Sequence, residues 1–374
     1  MAEHAKLSAS SSHRWLVCTR SVESETKFPD LTSVYAEEGS AAHTLTEHKL
    51  RKFLKIRSKR PNSQFDSAEL EDYTDVYVTF ACERIAEAKM RSKDAVVLIE
   101  QRVDFSQYVP EGFGTGDLII VSDGMLEVCD LKYGRGVAVS AEHNPQMQLY
   151  ALGALAIFDD LYDIQTVKMT ICQPRLDSLS TFEMTADELL NWAEKELKPK
   201  AAMAANGEGE YRAGEHCRFC RAKATCRARA EMNLELARYD FSDPALLTGK
   251  EVADILAKAE QLKSWASDIW EYAQIEAIAG REKWPGFKVV EGRANRKYSD
   301  ENMVTQTLLA TGKYVESSIY NRKIIGITEM ERLLGKKSFN ELLSKLIEKP
   351  AGKPALVPES DKRSEWNSAT ADFK

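Results

Sequence analysis

The sequence predicts an α/β fold: a mixed central sheet flanked by helices, followed by a mainly helical C-terminal region. Three observations carry this reading. Short apolar runs of strand length occur at 95–105, 118–121, 125–131 and 167–172. Longer stretches around them repeat apolar residues every three or four positions, the period of an amphipathic helix. Beyond residue 248 that helical period dominates, with Val252, Leu256, Ala259, Leu262, Ala266, Ile269 and Ala273 on one stripe.

At 374 residues the chain is long enough for two domains or one domain with a large appendage. Its 43% hydrophobic and 29% charged residues are those of a soluble globular protein. No apolar run approaches the roughly 20 residues that span a bilayer, and the opening MAEHAKLSASSSHRW lacks the layout of a secretory signal. A reducing, cytoplasmic location without membrane association is therefore expected. Seven cysteines, three of them within ten residues, argue for metal or cluster ligation over a disulfide framework. The net charge of −7 argues weakly against nucleic-acid binding, but it is unevenly spread: residues 281–374 hold 18 Lys and Arg against 13 Asp and Glu. A basic C-terminal segment beside an acidic remainder suits a nucleic-acid partner.

In chain order, Ser10 to Ser12 can cap a short helix from His13 to Ser21 that holds Trp15, Leu16 and Cys18. The stretch from Ala36 leads into a helix ending near Phe53, on which His43 and Glu47 share a face. Residues 55–68 read as a polar, basic loop, and Leu70–Met90 as a helix. Ala95–Phe105 is a strand whose near-continuous apolar first half suits the middle of a sheet. Glu100 interrupts it, and a carboxylate there must be paired, with Arg102 or Lys132, or bound to metal.

Asp117 opens the run Leu118–Val121; the turn Ser122-Asp123-Gly124 leads into Met125–Leu131, a hairpin pattern. Asp117 begins one strand while Asp130 and Lys132 end its neighbour, and residues two apart on a strand share a face. Two carboxylates and an ammonium thus converge at one sheet edge, either as ordinary surface charges or as a site for a hard divalent cation and an activated water. Asn144-Pro145 precedes a helix, with proline in the first turn where its missing N–H costs nothing. Gln146 and Tyr150 lie one turn apart on it, either as cap and core residues or as contacts for a nucleic-acid strand. Val167–Cys172 is a further strand and Ala186–Ala205 a helix.

Cys217, Cys220 and Cys226 form Cys-x2-Cys-x5-Cys, and two intervening residues let both thiolates reach one metal. Zinc with His216 as fourth ligand and an iron–sulfur cluster with a distant cysteine both satisfy the spacing. Six Lys and Arg between Arg212 and Arg229 surround these cysteines, forming either a solvated basic face or a phosphate contact. A long helix from Thr248 to about Ala279 follows, then a strand from Lys288 to Tyr298, helices over 299–311 and 327–347, and a Pro/Gly-rich extended tail. The domains expected are 1–235, 236–350 and 351–374.

Gly114-Thr-Gly-Asp117, Asp130-Leu-Lys132 and Gln146-x-x-x-Tyr150, in that order, resemble the nuclease core of the RecB-like branch of the PD-(D/E)XK superfamily. The resemblance covers roughly residues 8–232. It implies a restriction-endonuclease-like core and a Mg²⁺- or Mn²⁺-dependent deoxyribonuclease. Asp117, Asp130, His43 and the Leu131 carbonyl would hold the ion, with Glu100 as a further ligand. Lys132 would orient the attacking water, and Gln146 and Tyr150 would position DNA. Many relatives carry Glu where this chain has Asp130. The cysteine spacing is similar to that of AddB-like helicase-nucleases and CRISPR-associated RecB-like exonucleases. That similarity implies a [4Fe-4S] cluster on Cys18, Cys217, Cys220 and Cys226, stapling the two ends of the nuclease domain. The whole-chain layout resembles a family of phage and prophage RecB-like proteins, which implies a role in phage DNA recombination, replication or repair. The competing class is a non-catalytic DNA-binding scaffold that partners a single-strand annealing recombinase.

Overall fold

The structure is a computed structural model and describes residues 5–29, 33–235, 248–290, 300–310 and much of 312–347. Two compact units divide the chain, 1–282 and 283–374. The first opens with short helices α1 (Ser12–Trp15) and α2 (Ser21–Glu25), then long helices α3 (Val34–Phe53) and α4 (Ala68–Arg91). Each long helix starts where a serine hydroxyl takes over a free backbone donor: Ser33 accepts from the Ala36 N–H and Ser67 from the Leu70 N–H.

Five strands follow, β1 (Val96–Asp104), β2 (Phe113–Ser122), β3 (Met125–Leu131), β4 (Thr166–Gln173) and β5 (Ser178–Thr185), with α5 (Pro145–Tyr162) crossing from β3 to β4. They form one mixed sheet in chain order, parallel only between β3 and β4. The α/β class and the mixed central sheet agree with the sequence. The remaining helices of this unit are α6 (Ala186–Trp192), α7 (Lys198–Asn206), α8 (Arg227–Leu234) and α9 (Gly249–Ile278). The second unit's described elements are α10 (Glu301–Ala310), α11 (Glu316–Ile319), α12 (Ile327–Leu334) and α13 (Lys336–Leu343). Among the described residues, no helix is long and apolar enough to cross a membrane.

The sheet is buried on both faces, which is why β2 and β3 read as continuous apolar runs. Ile119, Val121, Leu126 and Val128 pack with α5, α6 and α7, while Leu118, Ile120, Cys129 and Leu131 pack with α3 and α4. Helix α5 must approach β1 closely to seal its face. A Cβ on Gly153 would stand 2.7 Å from Val103 Cβ and 3.1 Å from the Asp104 carbonyl oxygen. Gly153→Ala is therefore expected to cost about 1–3 kcal/mol through overpacking. The check is a urea midpoint that falls at unchanged slope.

Several local expectations need correction. The first helix is two short ones, α1 and α2, with Cys18 in the turn between them. The helix expected over 186–205 is interrupted by a π-helical turn at Ala193–Leu197. Strand β5 went unread in the sequence. It is an edge strand whose residues alternate between partly buried and exposed, so ladder bonds to β4, which need no apolar signature, hold it. The helix expected over 327–347 breaks at Gly335, whose φ of 75° ends α12. Residues Lys288–Val290 are not a strand, and the rest of that expected strand lies outside the described residues, as do the 351–374 tail and residues 236–247.

Candidate metal centre and cysteine site

Sheet register builds the site. Glu100 falls opposite Asp117 at the unpaired step between Ile99↔Leu118 and Gln101↔Gly116 of the β1/β2 ladder, and extending the β2/β3 pairing by one position places Asp117 opposite Asp130. Three carboxylates thus share one cross-strand row, an arrangement that like-charge repulsion alone disfavours. Glu100 itself holds a φ of 49°, a left-handed backbone that non-glycine residues rarely adopt. Strain and repulsion at one row of an otherwise regular sheet suit a bound cation better than stability.

Helix α3 brings in the fourth group. His43 Nδ1 stands 3.1 Å from Asp117 Oδ1 and 3.9 Å from Glu100 Oε1. Ligand atoms of His43, Glu100 and Asp117 all lie within 4.8 Å of one another. The other Asp117 oxygen accepts the Leu131 N–H at 2.6 Å, so the contact Leu131 makes with the site is through its amide. Lys132 Nζ lies 2.8 Å from Asp130 Oδ2 and donates to Gln146 Oε1 at 3.0 Å. The buried Asp130 Oδ2 is met by that ammonium as an ion pair. A buried carboxylate oxygen in that position fits a hard cation.

On α5, Asn144 caps the helix by accepting from the Gln146 and Met147 amides. Gln146 Nε2 then donates to the Tyr150 hydroxyl at 3.0 Å and reaches Asp130 Oδ1 at 3.5 Å. Gly114 leaves the space that Tyr150 fills: a Cβ there would lie 2.7 Å from the tyrosine ring. His43, Glu100 and Asp117 thus form one cluster, and Asp130, Lys132, Gln146 and Tyr150 form a linked chain of polar groups outside that cluster. Tyr77 of α4 is an addition that its spacing did not signal. Its fully buried hydroxyl donates to the Cys129 carbonyl at 3.4 Å, and burial, then the charges of Asp117, Cys129 and Asp130, push its pKa well up.

The electrostatics follow from burial and crowding. Burial, then the Asp117 charge, raises Glu100 to about 7. Burial opposes charge on His43, but Asp117 outweighs it and lifts the imidazole to about 9. Burial also raises Asp130, with Lys132 offsetting part of it, whereas in Asp117 the His43 and Leu131 contacts outweigh burial and hold the carboxyl low. Because His43 and Glu100 bind protons more tightly folded than unfolded, their stabilisation is complete below the unfolded values of 6.5 and 4.5. It is lost as pH rises through about 7 for Glu100 and about 9 for His43. Melting temperatures of chelator-treated protein are therefore expected to fall across that window. Saturating Mn²⁺ should flatten the decline, because the ion replaces the protons.

A second constellation lies at the N-terminal side. Cys18, Cys217, Cys220 and Cys226 line one cavity, together with His216 and Arg229. Burial raises the Cys217 and Cys220 thiols, the latter to about 12. Among the described residues no three of these sulfurs lie within 4.8 Å of one another, while a single tetrahedral zinc requires sulfurs about 3.8 Å apart. His216 Nε2 is bonded at 2.9 Å to the Arg212 carbonyl. The loop is clamped to the N-terminus independently of any metal. Arg14 donates to the Phe219 carbonyl and pairs with Glu25, and Glu25 accepts the Arg221 amide.

Residues 4–364 match the family model described as "Protein of unknown function (DUF2800)". The chain belongs to the DUF2800 family. Both sites of this DUF2800 protein lie inside the matched range. A solved structure titled "Crystal structure of SSO0001" is 16% identical over 49% of this chain and 94% of its own, with a TM-score of 0.24, a likeness too slight to argue from.

Proposed function

We propose that this chain is a divalent-metal-dependent deoxyribonuclease of the RecB-like PD-(D/E)XK type, an exonuclease hydrolysing phosphodiester bonds at DNA ends. The observation that carries the reading is the single row of Glu100, Asp117 and Asp130, with His43 at one end and Lys132 held at the other by Asp130 and Gln146. His43, Glu100, Asp117 and Asp130, with the Leu131 carbonyl, would hold Mg²⁺ or Mn²⁺. When bound, such an ion supplies Lewis acidity toward the scissile phosphate and lowers the pKa of a water.

The chain's own groups do the rest. Lys132, raised above its ordinary pKa because Asp130 outweighs burial, stays an ammonium. It orients the attacking water and meets charge that develops on the phosphate. Gln146 and Tyr150 contact the strand beside the scissile bond. The four cysteines lining one cavity support a [4Fe-4S] cluster, wider than one zinc ion, that joins the ends of the nuclease fold. Carboxylates in a DNA site, a basic C-terminal segment and reduced thiols suit a cytoplasmic enzyme of phage or prophage DNA recombination, replication or repair.

The test is digestion of end-labelled linear DNA and circular DNA with Mn²⁺ or Mg²⁺. Loss of linear DNA alone establishes an exonuclease, and the surviving label gives its polarity. If cluster-loaded protein cleaves neither substrate, the DNA-binding scaffold reading replaces this one.

A further inference from the structure

The two residues between Cys217 and Cys220 face outward. Arg218 is exposed, and Phe219 is 57% exposed. Two contacts hold its ring and a third holds its backbone. The Arg218 guanidinium lies 5.0 Å from its centroid, the His13 imidazole meets it edge-on at 5.7 Å, and Arg14 donates to the Phe219 carbonyl at 3.1 Å. Buried Glu25 secures the next turn by accepting the Arg221 amide at 2.8 Å. Neither side of the clamp depends on a ligand in the cysteine cavity.

The neighbouring His13 keeps an open face to solvent. Burial of the rest of the imidazole, then Arg14, lowers its pKa. On the same flank Ala9 lies against the space beside Gly114 and Tyr150. Helix α1, carrying His13 and Arg14, thus packs against both α5, which bears Gln146 and Tyr150, and the cysteine-loop turn Glu215–Phe219.

We propose that Phe219, flanked by Arg218 and His13, is a stacking platform that receives a base of a single-stranded DNA end, with Arg218 on the adjoining phosphate. An aromatic plane with a cation beside it and a pinned backbone suits this task. Stacking is tolerant of sequence, and little freedom is lost on binding. The inference rests on the nuclease reading for its ligand, but its readout is binding rather than cleavage.

The test uses the full chain with its cysteine site loaded, a fluorescein-labelled oligothymidylate, and Ca²⁺ in place of Mg²⁺ so that binding is read without turnover. Phe219→Ala is expected to bind roughly tenfold more weakly, with metal content at the cysteines and melting temperature unchanged. Phe219→Trp is expected to retain affinity and to show emission quenched by the oligonucleotide beyond any change in wild type. This second variant decides the matter if the alanine variant does not fold. Phe219→Ala binding within about twofold of wild type, or tryptophan emission that saturating oligonucleotide leaves unchanged, overturns the platform. If wild type cleaves no DNA while the Phe219 effects appear, the nuclease reading fails and the platform stands. If wild type cleaves and Phe219→Ala binds and cuts normally, the platform alone fails.

Discussion

Lys132→Ala is expected to slow digestion of end-labelled linear DNA by at least about 100-fold, the usual cost of removing one preorganised charge from a transition state. Asp130→Ala should do the same. Both changes sit at the margin of the sheet, since β3 ends at Leu131, so fold and secondary structure should persist. Removing Asp130 relieves repulsion from Asp117 and the burial cost that raises its own pKa, but it also strips Lys132 of the partner that keeps it charged, so ion-free Asp130→Ala should lose less stability than Lys132→Ala. Removing Lys132 leaves the buried Asp130 carboxylate without its 2.8 Å partner, which is destabilising. Activity loss in both variants with the fold retained marks a catalytic constellation; equal cleavage by wild type and both variants would end the assignment.

The second large effect lies at the cysteines. Replacing Cys217 with serine is expected to abolish visible absorbance near 400 nm in anaerobically prepared protein. It should also lower the melting temperature by on the order of 10 °C, if the cluster is held at roughly a thousand times its dissociation constant. Cys217 is the most central choice, because it is buried, accepts the Gly214 amide at 3.4 Å and feels the charges of both Cys226 and Cys18. Cys82 is the control. It lies half-buried on α4, away from that cavity lining, and Cys82→Ser should leave absorbance and melting unchanged. Colourless wild-type protein that retains zinc would replace the cluster with an ion. The clamp of Arg14, Glu25 and the Phe219–Arg221 backbone should keep part of the loop attached in the serine variant. Partial rather than complete unfolding is the expected result.

Much of the candidate site is legible because its parts are local. Asp130 and Lys132 share a face by strand period, and Gln146 and Tyr150 share one by helical period. Asn144-Pro145 announces the start of α5, where the asparagine does cap. Other features have no local signature. The left-handed backbone at Glu100 interrupts the β1/β2 ladder, and nothing in Leu-Ile-Glu-Gln-Arg marks it. Tyr77 reads as one apolar position among many until α4 lays its hydroxyl beside the carboxylates. Phe219 was one letter between two cysteines, and its exposure and its neighbour His13 are products of the clamp.

The sequence by itself determined the α/β class, the hairpin, the amphipathic helices and the residue types available for chemistry. Each of these depends on periodicity or spacing within a few residues, where backbone geometry fixes which side chains share a face. Tertiary structure alone decided that His43 reaches Asp117 from a helix more than 70 positions earlier, and that Cys18 joins cysteines about 200 positions later in one cavity. It also decided that three carboxylates fall in one row. Those proximities depend on strand register and on which helix covers which face. Register is set by pairing the whole sheet and by burying both of its faces at once, a condition that no short stretch of sequence can express.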